Sequence, residues 1–116
     1  MSFYFEKLIV WQKAYLLSKQ IHTLIRDFPK EEQYALTDQL RRSSLSVVSN
    51  IAEWSARVTD ADRKHFLTMA QGSCMEVATQ IMLANDFEYI KNQEEKEYIL
   101  SLLDEIVKML YVMINK

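Results

Sequence analysis

Two histidines and one cysteine are the side chains of this sequence best suited to metal binding or nucleophilic chemistry, and their surroundings limit both. A carboxylate three residues before a histidine shares a helix face with it. Helical bundles hold paired metal ions that way, but only when several such steps converge from different helices. Asp62 and His65 make one such step and stand alone beside Arg63 and Lys64, while His22 has no carboxylate three or four residues before it. No metal site is expected, and both histidines read as surface residues. Cys74 lies near Val77 and Ala78, where a thiol acts as a small hydrophobe rather than half of a Cys-His pair. As the sole cysteine it excludes an intrachain disulfide and a thiolate zinc cluster, and it suits a reducing compartment. Gly72, the only glycine, cannot supply a glycine-rich phosphate loop. The expectation is a protein with no cofactor and no enzymatic activity.

The informative pattern is polar. Asp38, Arg42, Ser46, Asn50 (or its neighbour Ser49), Glu53 and Arg57 follow one another at three- and four-residue steps, as do Ser73, Glu76 and Gln80 further on. Two readings stay open. The ridges could join as one network holding Asn50, Glu53, Glu76 and Gln80, with Arg41 or Arg42 answering Glu53 or Glu76 by charge-assisted bonds. Alternatively they are exposed faces carrying ordinary pairs four residues apart, Asp38 with Arg42 and Glu53 with Arg57.

Such ridges need helices to carry them. One glycine and one proline in 116 residues, in a chain 49% hydrophobic and 26% charged, leave little punctuation for strands. The first helix is predicted from Phe5 to Asp27, with Leu8, Trp11, Ala14, Leu17, Ile21, Leu24 and Phe28 along one seam and Pro29 ending it. Trp11→Ala should then cost about 3 kcal/mol or more. The second is predicted from Glu31 to Ser55, burying Leu36, Leu40, Ser44, Val47, Ile51 and Trp54, with Ser43, Ser44, Ser46 and Ser49 marking a close helix crossing near Ser46. Thr59 to Asp62 resembles a capping box that starts the third helix, whose seam is Phe66, Ala70, Ser73, Val77, Ile81 and Ala84; Gly72 inside it signals close packing. A cap-like run from Lys91 to Glu95 precedes the fourth, which carries Ile99, Leu102, Leu103, Ile106, Met109, Leu110 and Met113.

Short connections make this an all-α, antiparallel up-down-up-down four-helix bundle, one domain over residues 1–116. Ile9, Val10, Tyr15, Leu16 and Ile25 on the first helix, and Val107, Tyr111 and Ile114 on the fourth, widen the apolar faces beyond one seam. Copies of the chain are therefore expected to associate. The formal net charge of -2 gives no global attraction to phosphate backbones, so nucleic-acid binding would need a local patch. Glu6 and Lys7 interrupt too short an apolar start for a signal peptide, and no run nears the roughly 18 residues of a membrane span. The cytoplasm is the expected location, without membrane attachment.

The runs Phe5-Glu6-Lys7-Leu8-Ile9-Val10-Trp11-Gln12-Lys13-Ala14, Phe28-Pro29-Lys30-Glu31-Glu32, Leu36-Thr37-Asp38-Gln39-Leu40-Arg41-Arg42-Ser43-Ser44, Ser49-Asn50-Ile51-Ala52-Glu53 and Gly72-Ser73-Cys74-Met75-Glu76 with Gln80 resemble the bacterial four-helix bundles named for 23S rRNA intervening sequences. The resemblance covers about residues 3 to 90. It implies a small intracellular bundle assembling as a ring of five, related to the accessory protein of diversity-generating retroelements, a basic barrel that binds RNA and a reverse transcriptase. The function implied is a non-enzymatic scaffold binding RNA or a ribonucleoprotein, with Arg41, Arg42, Arg57, Arg63 and Lys64 on phosphates. The alternative is a protein-interaction module with no nucleic-acid role. Two positions depart from the family pattern: Trp54 and Glu88 stand where it favours glycine.

Overall fold

The computed structural model describes all 116 residues and contains four α-helices and no strand: α1 (Ile9–Leu24), α2 (Leu36–Ala56), α3 (Asp60–Asp86) and α4 (Gln93–Ile114). Each of α1 and α3 packs against both α2 and α4, so the four helices close around one core. At about 1.5 Å per residue, the 27 residues of α3 span about 40 Å, nearly the whole 43 Å long axis of the molecule. That core is built from Ala14, Leu17 and Ile21 of α1, Leu40, Val47 and Ile51 of α2, Ala70, Cys74, Val77 and Ile81 of α3, and Ile99, Ile106 and Leu110 of α4, all fully buried.

The first helix starts later than its periodicity suggests. Tyr4–Lys7 forms a separate 3-10 turn, closed by the Glu6 carboxylate accepting the Phe3 amide, and Leu8 is extended before α1 begins. Trp11 is only half-buried, set between Phe5 at 5.0 Å and Tyr15 at 4.8 Å, rather than inside the seam. Val10 and Ile25, read from the sequence as surplus, are buried in the chain's own core.

The second helix also starts late. Lys30–Glu32 is a 3-10 turn after Pro29, and Ala35, at φ -123° and ψ -109°, precedes α2 with no capping side chain of its own. Glu32 caps the helix instead, with one carboxylate oxygen accepting the Leu36 amide at 3.2 Å and the other accepting the Tyr89 hydroxyl at 2.8 Å. The hydrogen bond to this carboxylate, with some burial, pushes the Tyr89 phenol above its usual range.

Local chemistry places the remaining ends where the sequence puts them. Thr59 Oγ1 accepts the Asp62 amide at 3.2 Å, and Asn92 Oδ1 accepts the Glu95 amide at 3.0 Å, so both act as N-caps. The last turn of α3 closes with the Tyr89 amide on the Ala84 carbonyl and the Glu88 amide on Asn85, a Schellman pair, which puts Glu88 at φ 64°. Gly72, by contrast, is exposed, and a Cβ there would meet nothing within 4 Å. The sequence reading of Gly72 as a close-packing point within the chain is therefore corrected.

Candidate functional site

Where α2 and α3 meet, hydroxyl and amide groups join across the two helices. Ser43 Oγ donates to Gln80 Oε1 at 2.6 Å, Ser46 and Ser73 share a hydroxyl hydrogen bond of 2.7 Å, and Asn50 Nδ2 donates to the Ser46 carbonyl at 2.8 Å and its Oγ at 3.0 Å. Small side chains let the helices approach closely enough for a serine to reach a serine. As residue numbers rise along α2 in these pairs, they fall along α3.

The carboxylates and guanidinia of the polar ridges stay out of this seam. Asp38 accepts from Arg42 Nε at 2.8 Å and from Arg41 at 3.5 Å, and Glu53 pairs with Arg57 one turn away. Glu76 is exposed. Neither Arg41 nor Arg42 answers Glu53 or Glu76; a turn of helix brings Asp38 within reach of both arginines, while the route to the other helix is longer. Asn50 and Gln80 are thus brought to the α2–α3 seam, and Glu53 and Glu76 are not. The seam holds no charged group and no titrating acid or base. Its chemistry is to fix helix register.

The five basic residues singled out in the sequence fall into two clusters. Arg41 and Arg42 sit near the start of α2, both paired with Asp38; Arg57, Arg63 and Lys64 sit at the turn from α2 to α3. Fifteen residues of helix and its cap separate Arg42 from Arg57, about 22 Å at 1.5 Å per residue, so they make no single patch. At the turn, the Arg57 guanidinium lies over Phe66 and that of Arg63 over Trp54, each 4.7 Å from the ring centroid. Trp54 continues α2, half-buried, as the platform for Arg63. It also lines a cleft of about 560 Å³ with Arg63, Lys64, Leu67 and Met113.

Cys74 is fully buried, and desolvation pushes its thiol up to about 12, so it stays protonated at neutral pH. His22 and His65 are both exposed, with His65 edge-on to Phe66 at 5.2 Å. No three His, Cys, Asp or Glu side chains stand together in a group that could hold a metal ion. No helix is long and apolar enough to cross a membrane.

A family model described as 23S rRNA-intervening sequence protein matches residues 6–112. The chain belongs to that family. A crystal structure of a protein with unknown function from the S23 ribosomal protein family of Bacteroides thetaiotaomicron VPI-5482 is similar, with a TM-score of 0.82 and 25% identity over 93% of this chain and 100% of that one. None of the curated proteins matches the chain.

One basic surface of the chain was not singled out from the sequence. From Lys7 to Arg26 there is no Asp or Glu, while Lys13, Lys19 and Arg26 supply cations. Ser18, Lys19, His22, Thr23 and Arg26 line one shallow polar depression of about 390 Å³ on α1. The signal was available as a carboxylate-free stretch. Glu6 on one side and Asp27, Glu31 and Glu32 on the other offset that charge along the chain.

Proposed function

We propose that the protein is a non-enzymatic scaffold, an antiparallel up-down-up-down bundle that assembles as a homo-oligomeric ring of five and binds RNA or a ribonucleoprotein. The order in which α2 and α3 residues pair supports the antiparallel arrangement. The observation that carries the RNA reading is the bundle end at Trp54. There Arg63 and Lys64 make no ion pair with a carboxylate, unlike Arg41, Arg42 and Arg57, and they flank an open cleft with an aromatic wall. A guanidinium over an indole still has its N–H groups to offer a phosphate. A ring repeats each weak contact at every subunit, which raises avidity without requiring a strongly basic chain.

Fluorescence anisotropy with 23S rRNA fragments at graded salt tests this reading. The logarithm of the binding constant should fall linearly with the logarithm of salt, and Arg63→Gln with Lys64→Gln should make the slope shallower by roughly 1 to 2. A flat or absent salt response would remove it. The second reading, a protein-interaction module, is favoured by the net charge of -2 and by Asp38 pairing with two of the five arginine and lysine candidates, which offsets one of their charges. Purification from native cells with nuclease treatment separates the two, because a partner retained after digestion is held by protein contacts.

A further inference from the structure

We infer that the outer face of the N-terminal segment and α1 is a track for single-stranded RNA, with bases stacking on its aromatic rings and phosphates on its cations; this rests on the RNA-binding reading above. Four rings form a ladder there. Phe3 stacks on Phe5 at 5.3 Å, Phe5 meets Trp11 at 5.0 Å, and Trp11 stacks on Tyr15 at 4.8 Å. Phe3 and Tyr15 remain about half exposed, at 56% and 49%. Lys19 continues the row, its ammonium 5.7 Å from the Tyr15 centroid, and His22 and Arg26 follow at helical steps.

At about 100° per residue, Trp11, Tyr15, Ser18, Lys19, His22 and Arg26 share one flank of α1, away from the Ile9, Lys13 and Leu16 side that lines α4. Its exposed members, Tyr15, Lys19, His22 and Arg26, therefore compete neither with the core nor with the α1–α4 contact, while half-buried Trp11 packs against the core beneath them. Its chemistry is complementary to a single strand in both parts. Phe3 keeps its outer face free, and Tyr15 has one face against Trp11 and the other under only the exposed Lys19 ammonium, so an unpaired base can stack at either end of the row, whereas a duplex, whose bases already stack on one another, cannot. Lys19 and Arg26 make no ion pair, no carboxylate of α1 competes for phosphate, and Ser18 adds a hydroxyl beside them, while the Thr23 hydroxyl donates to the Lys19 carbonyl at 3.3 Å.

Anisotropy with a labelled 12-mer of uridylate, against a 12-base-pair RNA duplex, reads the selectivity. The single strand should bind at least about fivefold more tightly, and Tyr15→Ala should lose at least about fivefold of that affinity. Lys19→Gln with Arg26→Gln, both on exposed positions, should make the salt slope shallower by about 1.4. A 4-thiouridine strand, cross-linked to the unaltered protein and mapped by mass spectrometry, should mark the segment from Ala14 to Lys19; this readout needs no variant to fold. Equal affinity for duplex and strand, or cross-links confined to residues outside Phe3 to Arg26, would overturn the inference. If Arg63→Gln with Lys64→Gln abolishes binding while the α1 variants leave it unchanged, the track fails and the RNA reading stands. Absence of binding to either RNA removes both.

Discussion

Burial at single positions sets the chemistry this chain can and cannot perform. Cys74 shows it most sharply: with a thiol held protonated to about pH 12 when folded, against an ordinary value of 9.0, it is neither nucleophile nor ligand at neutral pH. The linkage has a definite sign. Below pH 9 both states carry the proton and the contribution is fully present; above it the unfolded chain loses the proton first, so stability falls as pH rises from about 9 towards 12. Denaturant unfolding of the natural chain and Cys74→Ala at pH 8 and 10.5 checks this. The variant costs packing at both pH values, and its loss on raising the pH should be smaller by on the order of 1 kcal/mol per unit, since the contributions of all other titrating groups are common to both proteins and drop out of the comparison. Trp11 makes the opposite point. Its periodicity places it on the seam, yet the extended Leu8 lets the N-terminal turn fold back so that Phe5 meets the indole at a tilt and Tyr15 stacks on it, leaving it half-buried at the edge of the core. Trp11→Ala should therefore lower thermal stability by about 2 kcal/mol, below the 3 to 5 typical of a buried large-to-small change, as a chemical melt will measure.

At the scale of elements, helix ends decided by side chains one turn away were legible, and ends decided by distant contacts were not. Thr59 and Asn92 are cap residues with their acidic partners in place, and α3 and α4 start at them. Nothing in the run from Pro29 to Ala35 announces that α2 waits until Leu36. Its cap is Glu32, held in turn by Tyr89 from the far side of the chain, and no local pattern contains that pairing. The polar seam behaves likewise. The steps joining Ser46 to Asn50 and Ser73 to Gln80, and the serine run that marks a crossing near Ser46, are visible along each helix, but which rung meets which depends on the α2–α3 register, and the Ser43–Gln80 pairing appears only with that packing. The turn after α3 yields a prediction. The Schellman geometry forces Glu88 into the left-handed region, a conformation costing a side-chain-bearing residue roughly 1 kcal/mol. Glu88→Gly should raise stability by about 1 kcal/mol with the loop path unchanged, measured as a shift in denaturation midpoint. Gly72→Ala should do the same by about 1 kcal/mol, because a methyl there meets open space and glycine is the poorer helix former.

For the whole molecule, the question is what covers the apolar surface left outside the core. Val10 and Ile25 account for part of the surplus read on the first helix, but Ile9, Tyr111 and Val112 remain exposed, and Leu8, Ile9, Val10, Met109, Val112 and Met113 line an apolar groove of about 450 Å³. A second uncharged face lies on α3. Between Lys64 and Asp86 only Glu76 among Asp, Glu, Lys and Arg interrupts it, and Met75, Met82 and Leu83 are exposed. A ring requires a heterologous contact, in which one patch of each subunit meets a different patch of the next, whereas a twofold dimer uses the same patch twice. Two separate apolar faces fit the ring. If the α1–α4 groove of one copy receives the α3 face of the next, Val112→Glu and Met82→Glu, each 59% exposed in the single chain, should both leave folding intact and reduce the oligomer to monomers at concentrations where the natural chain is assembled. Mixing the two variants decides between the geometries. Each then retains one intact patch, so a heterologous contact re-forms between unlike chains and stops at dimers, while an isologous interface through one face would leave the variant altered on the other face paired with itself before any mixing. Sedimentation velocity of the mixture should show a dimer at about twice the mass of either variant alone; only monomer in the mixture would show that the two faces do not meet.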